Sequence, residues 1–351
     1  MTEKKHISQI DYPEQTKSFG MTPDGKEVFC YTLTNKNGME LTVMEYGATI
    51  TSLKIPTVNH QKIDVVLGFD RLEDYIASYK LPSAPYFGCV VGRVAGRINK
   101  GSFVLNGQTI YLSKNHGHHQ LHGGTEGFGQ KLWTMKTQTT GDFPSITFTY
   151  TSPDGEENYP GAVMVEVTYS LTATNQLVVE YNASSTADTL INLTQHSYFN
   201  LDGHQHNISN QMLFVNSTKM LETDEENIPT GLLLNVSNCP FDFSAEKICP
   251  STIDNTFVLS EKNSIAASLY SAKNQLKMSV FTNQPAVHIY VGGNCFGQLK
   301  GKEDTNYHPL SGICFETQHY PDAPNHANFP SIVLKKGEHY QHQTIFTFEN
   351  C

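Results

Sequence analysis

The 351-residue chain carries 24 Lys+Arg against 34 Asp+Glu, a formal net charge of −10, with 38% hydrophobic residues and 26 Gly. That composition is neither disordered nor collagen-like, and no run of about five or six cations offers the clustered positive charge that nucleic acid or an anionic membrane needs. A neutral, small polar ligand fits the balance better.

Residues Met1 to Tyr12 include Lys4 and Lys5 but no apolar signal core, and no segment approaches about 18 uninterrupted apolar residues. A cytoplasmic protein without a spanning helix is therefore expected. Cys30, Cys89, Cys239, Cys249, Cys295, Cys314 and Cys351 are odd in number and never spaced C-x-x-C, so reduced thiols are expected rather than a disulfide framework or a zinc knuckle.

In chain order, the best helical periodicity lies around Asp70 to Ser78. Phe103 to Leu105, Asn106-Gly107 and Gln108 to Tyr111 form a hairpin pattern, because Asn-Gly supplies the two positive φ values of a type I′ turn. Ile146, Phe148 and Tyr150 alternate with threonines. From Ala162 to Leu171 the residues Val163, Val165, Val167, Tyr169 and Leu171 share one face of a half-buried strand. The same period recurs at Leu177 to Tyr181, Met278 to Phe281 and Thr344 to Phe348. With no linker and no repeat, residues 1–351 read as a single all-β domain, a large antiparallel β-sandwich of two twisted sheets.

Fifteen histidines invite sorting. His116, His118, His119 and His122 crowd one Gly-punctuated segment, but no H-E-x-x-H or comparable spacing appears, and no metal site is expected. His116 and His118 read as solvated loop. His122 stands apart, flanked by Leu121 and by Gly123-Gly124, a glycine pair that would let a ligand approach the backbone. His196 sits in the apolar, aromatic run Asn192 to Leu201, either as a hydrogen-bonded core residue or as a group titrating near neutrality. Glu316, beside Cys314 and Phe315, must be paired, exposed at a rim, or shifted in pKa. Asp254 could simply form a turn, and Arg97 could be an ordinary salt-bridged arginine. Neither a dinucleotide loop, nor a P-loop, nor a G-x-S-x-G elbow is present.

Taken together and in order, these segments resemble the aldose 1-epimerases, also called galactose mutarotases. The likeness runs through Tyr46-Gly47-Ala48-Thr49-Ile50, Val66 to Asp70, Gly92 to Ile98 and Leu121-His122-Gly123-Gly124. It continues through Ser152 to Glu157, Gln195-His196-Ser197-Tyr198-Phe199-Asn200-Leu201 and Ile228-Pro229-Thr230-Gly231. Asp242-Phe243, Ile253-Asp254-Asn255, Phe315-Glu316-Thr317-Gln318 and Asn328-Phe329-Pro330 complete it. The resemblance implies interconversion of the α and β anomers of a free hexose such as D-galactose or D-glucose, without a cofactor. It places the general acid on His196, the general base on Glu316, and sugar binding on Arg97, His122, Tyr198 and Asp254. It implies a monosaccharide partner, neither nucleic acid nor membrane, and a monomer or homodimer. Two positions depart from it: Gly96 where an Asn is frequent, and His288 where many members have Gln, a position still expected to bind sugar because a ring nitrogen can donate or accept there. Tyr290 and Phe281 are candidates to cover the apolar face of the sugar. Other readings stay open: a glycoside hydrolase using Asp254 and Glu316, a sugar-binding module, or a hexose-6-phosphate epimerase, although no cation cluster surrounds Arg97 or His122 in the sequence.

Overall fold

The computed structural model describes residues 16–59, 61–260, 264–292 and 298–351; the expectations for Met1 to Tyr12 and for Cys295 lie outside them. Alternating side chains dictate the local structure. In strand Val163–Leu171, all five residues of the apolar face are fully buried, whereas Met164 is exposed. Each such burial removes enough apolar surface from water to contribute about 1.5–3 kcal/mol, which fixes the face and with it the register. This strand pairs without a shift to Ser145–Ser152 on one side and to Gln176–Ser185 on the other. The Asn-Gly hairpin forms as the turn chemistry requires, with φ of 50° at Asn106 and 77° at Gly107 between strands Ser102–Leu105 and Gln108–Tyr111. The helical stretch condenses to Leu72–Ser78, which buries Leu72, Tyr75 and Ser78 at spacing three and carries Glu73 and Asp74 at its positive end.

Among the described residues three large sheets result, with every strand pairing in them antiparallel. The nine-stranded sheet runs Thr134–Thr139, Ser145–Ser152, Val163–Leu171, Gln176–Ser185, His339–Asn350, Leu276–Thr282, Ile265–Ser271, Met212–Val215, Lys247–Ile248. The six-stranded sheet runs Tyr198–Phe199, Ile313–Gln318, Ala286–Val291, Ile253–Val258, Lys219–Thr223, Pro229–Asn235. These two form the sandwich. Thr317 of the smaller sheet shares a hydrogen bond of 2.6 Å with Thr344 of the larger, and the rings of Phe199 and Phe346 lie 5.1 Å apart.

Two sheets do not account for the whole core, however. Thr16–Met21, Glu27–Thr34, Glu40–Met44, Thr49–Pro56 and Lys62–Asp64 build a five-stranded sheet, whose Leu33, Leu41, Val43 and Leu53 join the same buried cluster as Phe148, Val165, Phe257 and Phe315. Among the described residues, no helix is long and apolar enough to cross a membrane.

The six described cysteines are free. Burial pushes the Cys89 and Cys249 thiols up to about 12, so neither supplies thiolate near neutrality. Cys351 is exposed. A disulfide reagent added to native protein is accordingly expected to modify Cys351 rapidly, so that Cys351→Ser shows one fast-reacting thiol fewer. An unchanged amplitude of the fast phase in the variant would refute this assignment.

Candidate active site

Strand alternation builds the floor of the site. In Ile313–Gln318, Phe315 and Thr317 turn into the sandwich, which sends Cys314, Glu316 and Gln318 to the opposite face. Antiparallel register then aligns neighbours across strands. Glu316 is opposite His288, and His288 is opposite Thr256; Tyr198 is opposite Cys314, Cys314 opposite Tyr290, and Tyr290 opposite Asp254. Two rows of polar and aromatic side chains therefore share one face of the six-stranded sheet. All of these but Cys314 line a cavity of about 580 Å³, within the span typical of small-molecule sites.

The remaining walls come from segments outside this sheet. Strand Thr194–Gln195 pairs with Val90–Val91, and His196 follows it, its N–H donating to the Cys89 carbonyl. Its ring lies among those of Tyr86, His122 and Tyr198, with only 4% of the residue exposed. Its Nε2 is 3.5 Å from Glu316 Oε1, and Glu316 is 2% exposed. The other ring nitrogen faces the Cys314 sulfur at 3.7 Å, a thiol kept neutral because burial, reinforced by the Glu316 charge, raises its pKa.

Arg97 and His122 arrive together because Arg97–Ile98 pairs with Gln120–Leu121. The backbone N–H of Gly96 donates to His122 Nδ1 at 3.3 Å, so the neutral ring keeps its proton on Nε2. Burial, then the neighbouring His196 and Arg97, push the His122 pKa well below the ordinary range, which makes the neutral form the working one. This settles how His122, His196 and Glu316 should be read, although their ligand atoms lie within 4.8 Å of one another. A metal would need a bare Nε2 on His122, which would force a proton onto Nδ1 against the Gly96 N–H. The Gly96 contact therefore argues against metal ligation by this group.

Asp254 is held from several sides. His288 Nε2 donates to its Oδ1 at 2.9 Å, Asn227 Nδ2 to its Oδ2 at 3.3 Å, and Arg97 Nη2 is 3.6 Å away. Burial alone would raise the Asp254 carboxyl, but the His288 hydrogen bond and the charges of His288 and Arg97 outweigh it and hold the pKa well below the usual carboxylate range. Arg97 Nε and Gln318 Oε1 are buried in this wall without a hydrogen-bond partner in the protein.

Arg97, His122, His196, Tyr198, Asp254, His288 and Glu316 thus all line one cavity, as does Tyr290. Three expectations need correction. Phe281 belongs to the nine-stranded sheet, opposite Ile265 and Ile345, and does not line the cavity. Gly123 and Gly124 serve the fold and not a ligand, because an added Cβ would meet the Gly92 carbonyl oxygen at 1.9 Å and the Glu157 carboxylate at 2.2 Å. His288 has both ring nitrogens engaged, the second with Thr256 Oγ1 at 2.8 Å, so it presents no free donor to a sugar. The solvated-loop reading suits exposed His118, whereas His116 and Lys114 line the cavity mouth.

Strand alternation could have found two further wall residues, Thr256 and Gln318, since each lies two positions from a carboxylate already singled out. Asp322 gave no such signal. It is 1% exposed, its N–H donates to the Arg97 carbonyl at 2.9 Å, and its Oδ1 accepts the Asn99 N–H at 2.9 Å, so it brackets the backbone that carries Arg97.

Known proteins resemble the chain over most of its length. The family model described as aldose 1-epimerase matches residues 30–347. A galactose mutarotase of Bos taurus is 40% identical over 321 residues, 88% of this chain and 91% of its own length. An aldose 1-epimerase of Escherichia coli is 32% identical, covering 93% and 97%. Among solved structures, an aldose epimerase homologue from C. elegans superposes with a TM-score of 0.84 at 30% identity, covering 91% of this chain and 98% of that one. A galactose 1-epimerase from Lactobacillus acidophilus gives 0.82 at 27%, covering 95% and 98%. The strand architecture, the ordered motifs and these matches together show that the chain belongs to the aldose 1-epimerase family of isomerases.

Proposed function

We propose that the protein interconverts the α and β anomers of free hexoses, D-galactose and D-glucose among them, with His196 as general acid and Glu316 as general base. The observation that carries this reading is the approach of His196 Nε2 to Glu316 Oε1 at 3.5 Å on the floor of a polar cavity. A hemiacetal carbon bears two oxygens, and ring opening requires a proton to leave one as another reaches its neighbour. Glu316 takes the proton of the C1 hydroxyl while the bond from C1 to the ring oxygen breaks, and that oxygen takes a proton from the His196 imidazolium. The open aldehyde turns about C1–C2. In closure, neutral His196 recovers its proton from the attacking hydroxyl and protonated Glu316 returns its own, which regenerates the starting enzyme and gives the other anomer.

The walls supply orientation. Arg97 only donates, ionised Asp254 only accepts, and His122 donates through Nε2–H, so the three together discriminate among hydroxyl positions on one ring. Tyr290 and Tyr198 offer aromatic surface beside them. Support for galactose comes from the galactose mutarotases to which the chain is similar. The test is polarimetry on freshly dissolved α-D-galactose and α-D-glucose. Purified protein is expected to accelerate the decay of rotation well above the buffer rate for both, and failure with both sugars would sink the proposal.

A further inference from the structure

His288 occupies an unusual position for an imidazole. It lies on strand Ala286–Val291, directly between a strand carrying Asp254 and Thr256 and a strand carrying Glu316. The charged and titratable groups facing it are Asp254 and Glu316 from those flanking strands, Arg97 and His122 from the opposite wall, and Tyr290 on its own strand. Its contacts are specific. Nε2 meets Asp254 Oδ1 at 2.9 Å, and Nδ1 meets Thr256 Oγ1 at 2.8 Å.

We propose that His288 is a positioning residue whose imidazolium pins the Asp254 carboxylate beside Arg97, where the hydroxyls of the substrate are read. This rests on the anomer-interconversion reading given above. The Thr256 hydroxyl makes the arrangement work in two charge states: it accepts from Nδ1–H of the imidazolium and donates to Nδ1 of the neutral ring. The ring therefore keeps its place when the proton leaves, and what changes is the charge on its bond to Asp254. The bond to the ionised Asp254 stays charge-assisted in both states, but deprotonation removes the attraction between cation and carboxylate, which loosens Asp254 without emptying the site.

Burial alone would lower the His288 pKa, but the Asp254 hydrogen bond and the charges of Glu316 and Asp254 outweigh it and raise it above the ordinary histidine value. The sign follows. The charged clamp is present below this raised pKa and is lost as pH rises through it. Glu316, relieved of a facing cation, becomes no weaker as a base, so the loss falls on substrate binding.

The test is KM and kcat for α-D-galactose from pH 6 to 9.5, with an NMR titration of the histidine Cε1–H signals assigned by His288→Gln. In wild type, KM should rise three- to tenfold through the His288 titration, and that rise should be absent from His288→Gln whatever pH dependence kcat shows. His288→Gln, whose amide can donate to Asp254 and accept from Thr256, should give a KM independent of that titration and restore tight binding relative to His288→Leu. The leucine variant should have a raised KM at every pH. Asp254→Asn should lower the His288 titration midpoint. A wild-type pH dependence of KM that survives in His288→Gln, a leucine variant with wild-type KM, or a His288 that titrates below ordinary histidine would each overturn the inference. The NMR arm needs no turnover. A titration that responds to Asp254→Asn in a protein without anomer interconversion would therefore sink the functional reading instead.

Discussion

Glu316→Gln is expected to lower kcat for anomer interconversion by about 10²- to 10⁴-fold, the range typical of losing a positioned general base. The substitution is nearly isosteric, and Glu316 lies in a strand whose six residues are all buried and whose alternate members Ile313 and Phe315 anchor it in the core. Register and cavity should therefore persist while the acceptor for the C1 hydroxyl proton disappears. The loss should fall on kcat and not on KM, because sugar recognition is assigned to Arg97, His122 and Asp254. His196→Asn is expected to produce a loss of similar order. The double variant should be little worse than either single one, since acid and base act in one step. Polarimetry with far-UV and near-UV circular dichroism checks this. A folded Glu316→Gln protein with wild-type kcat would remove Glu316 from the mechanism.

The second large effect concerns stability and lies away from the cavity. Lys302 is buried, its Nζ donating to Asp64 Oδ2 at 2.8 Å and to the Thr51 carbonyl at 2.6 Å. Asp64 in turn accepts the Leu53 N–H at 3.0 Å, and His204 Nε2 is 3.5 Å from it. This group ties the 3₁₀ turn Lys302–Asp304 to the five-stranded sheet. Lys302→Met fills much the same volume but leaves the Asp64 carboxylate buried with its main cation gone, which is expected to cost about 3–5 kcal/mol in urea unfolding. Adding Asp64→Asn to that variant should recover much of the loss, because the uncompensated charge is then gone as well.

The same pair sets an acid limit. Burial would raise the Asp64 carboxyl, but Lys302 and then His204 outweigh it and hold its folded pKa well below the usual carboxylate range. A depressed folded pKa contributes stability that is complete above the unfolded value of about 3.9 and lost as pH falls further. Wild type should consequently lose stability below about pH 4 more steeply than the double variant. Parallel acid-unfolding curves for the two would show that Asp64 carries no such term.

Legibility in the sequence followed the range of the interaction. The strand faces were readable because alternation is local: whether Val165 or Glu166 turns inward depends on residues two positions away. The Asn106-Gly107 turn was readable because backbone sterics admit few residues at two successive positive φ values. His196 and Glu316 stood out as titratable groups embedded in apolar runs, and motif order supplied their expected roles. Arg93 and Arg97, four residues apart in one motif, carried no mark that separates them. Arg93 is spent on Ser152, Pro153 and Pro160, whereas Arg97 faces the cavity.

The sequence alone therefore determined an acidic, strand-dominated chain with two titratable side chains in apolar surroundings. Only the tertiary structure decided which strands became neighbours. The C-terminal strand His339–Asn350 inserts between Gln176–Ser185 and Leu276–Thr282, a placement that no local pattern encodes. It likewise decided that Phe281 belongs to the wrong sheet for a sugar wall, that Gly123 makes room for a carbonyl, and that His288 is occupied by Asp254 and Thr256. The physical reason is common to all of them. Period-two burial sets the face of a strand, but cross-strand register sets which side chains meet, and register is fixed by contacts between segments well separated in sequence, as where Thr256 meets His288 and Thr194–Gln195 meets Val90–Val91.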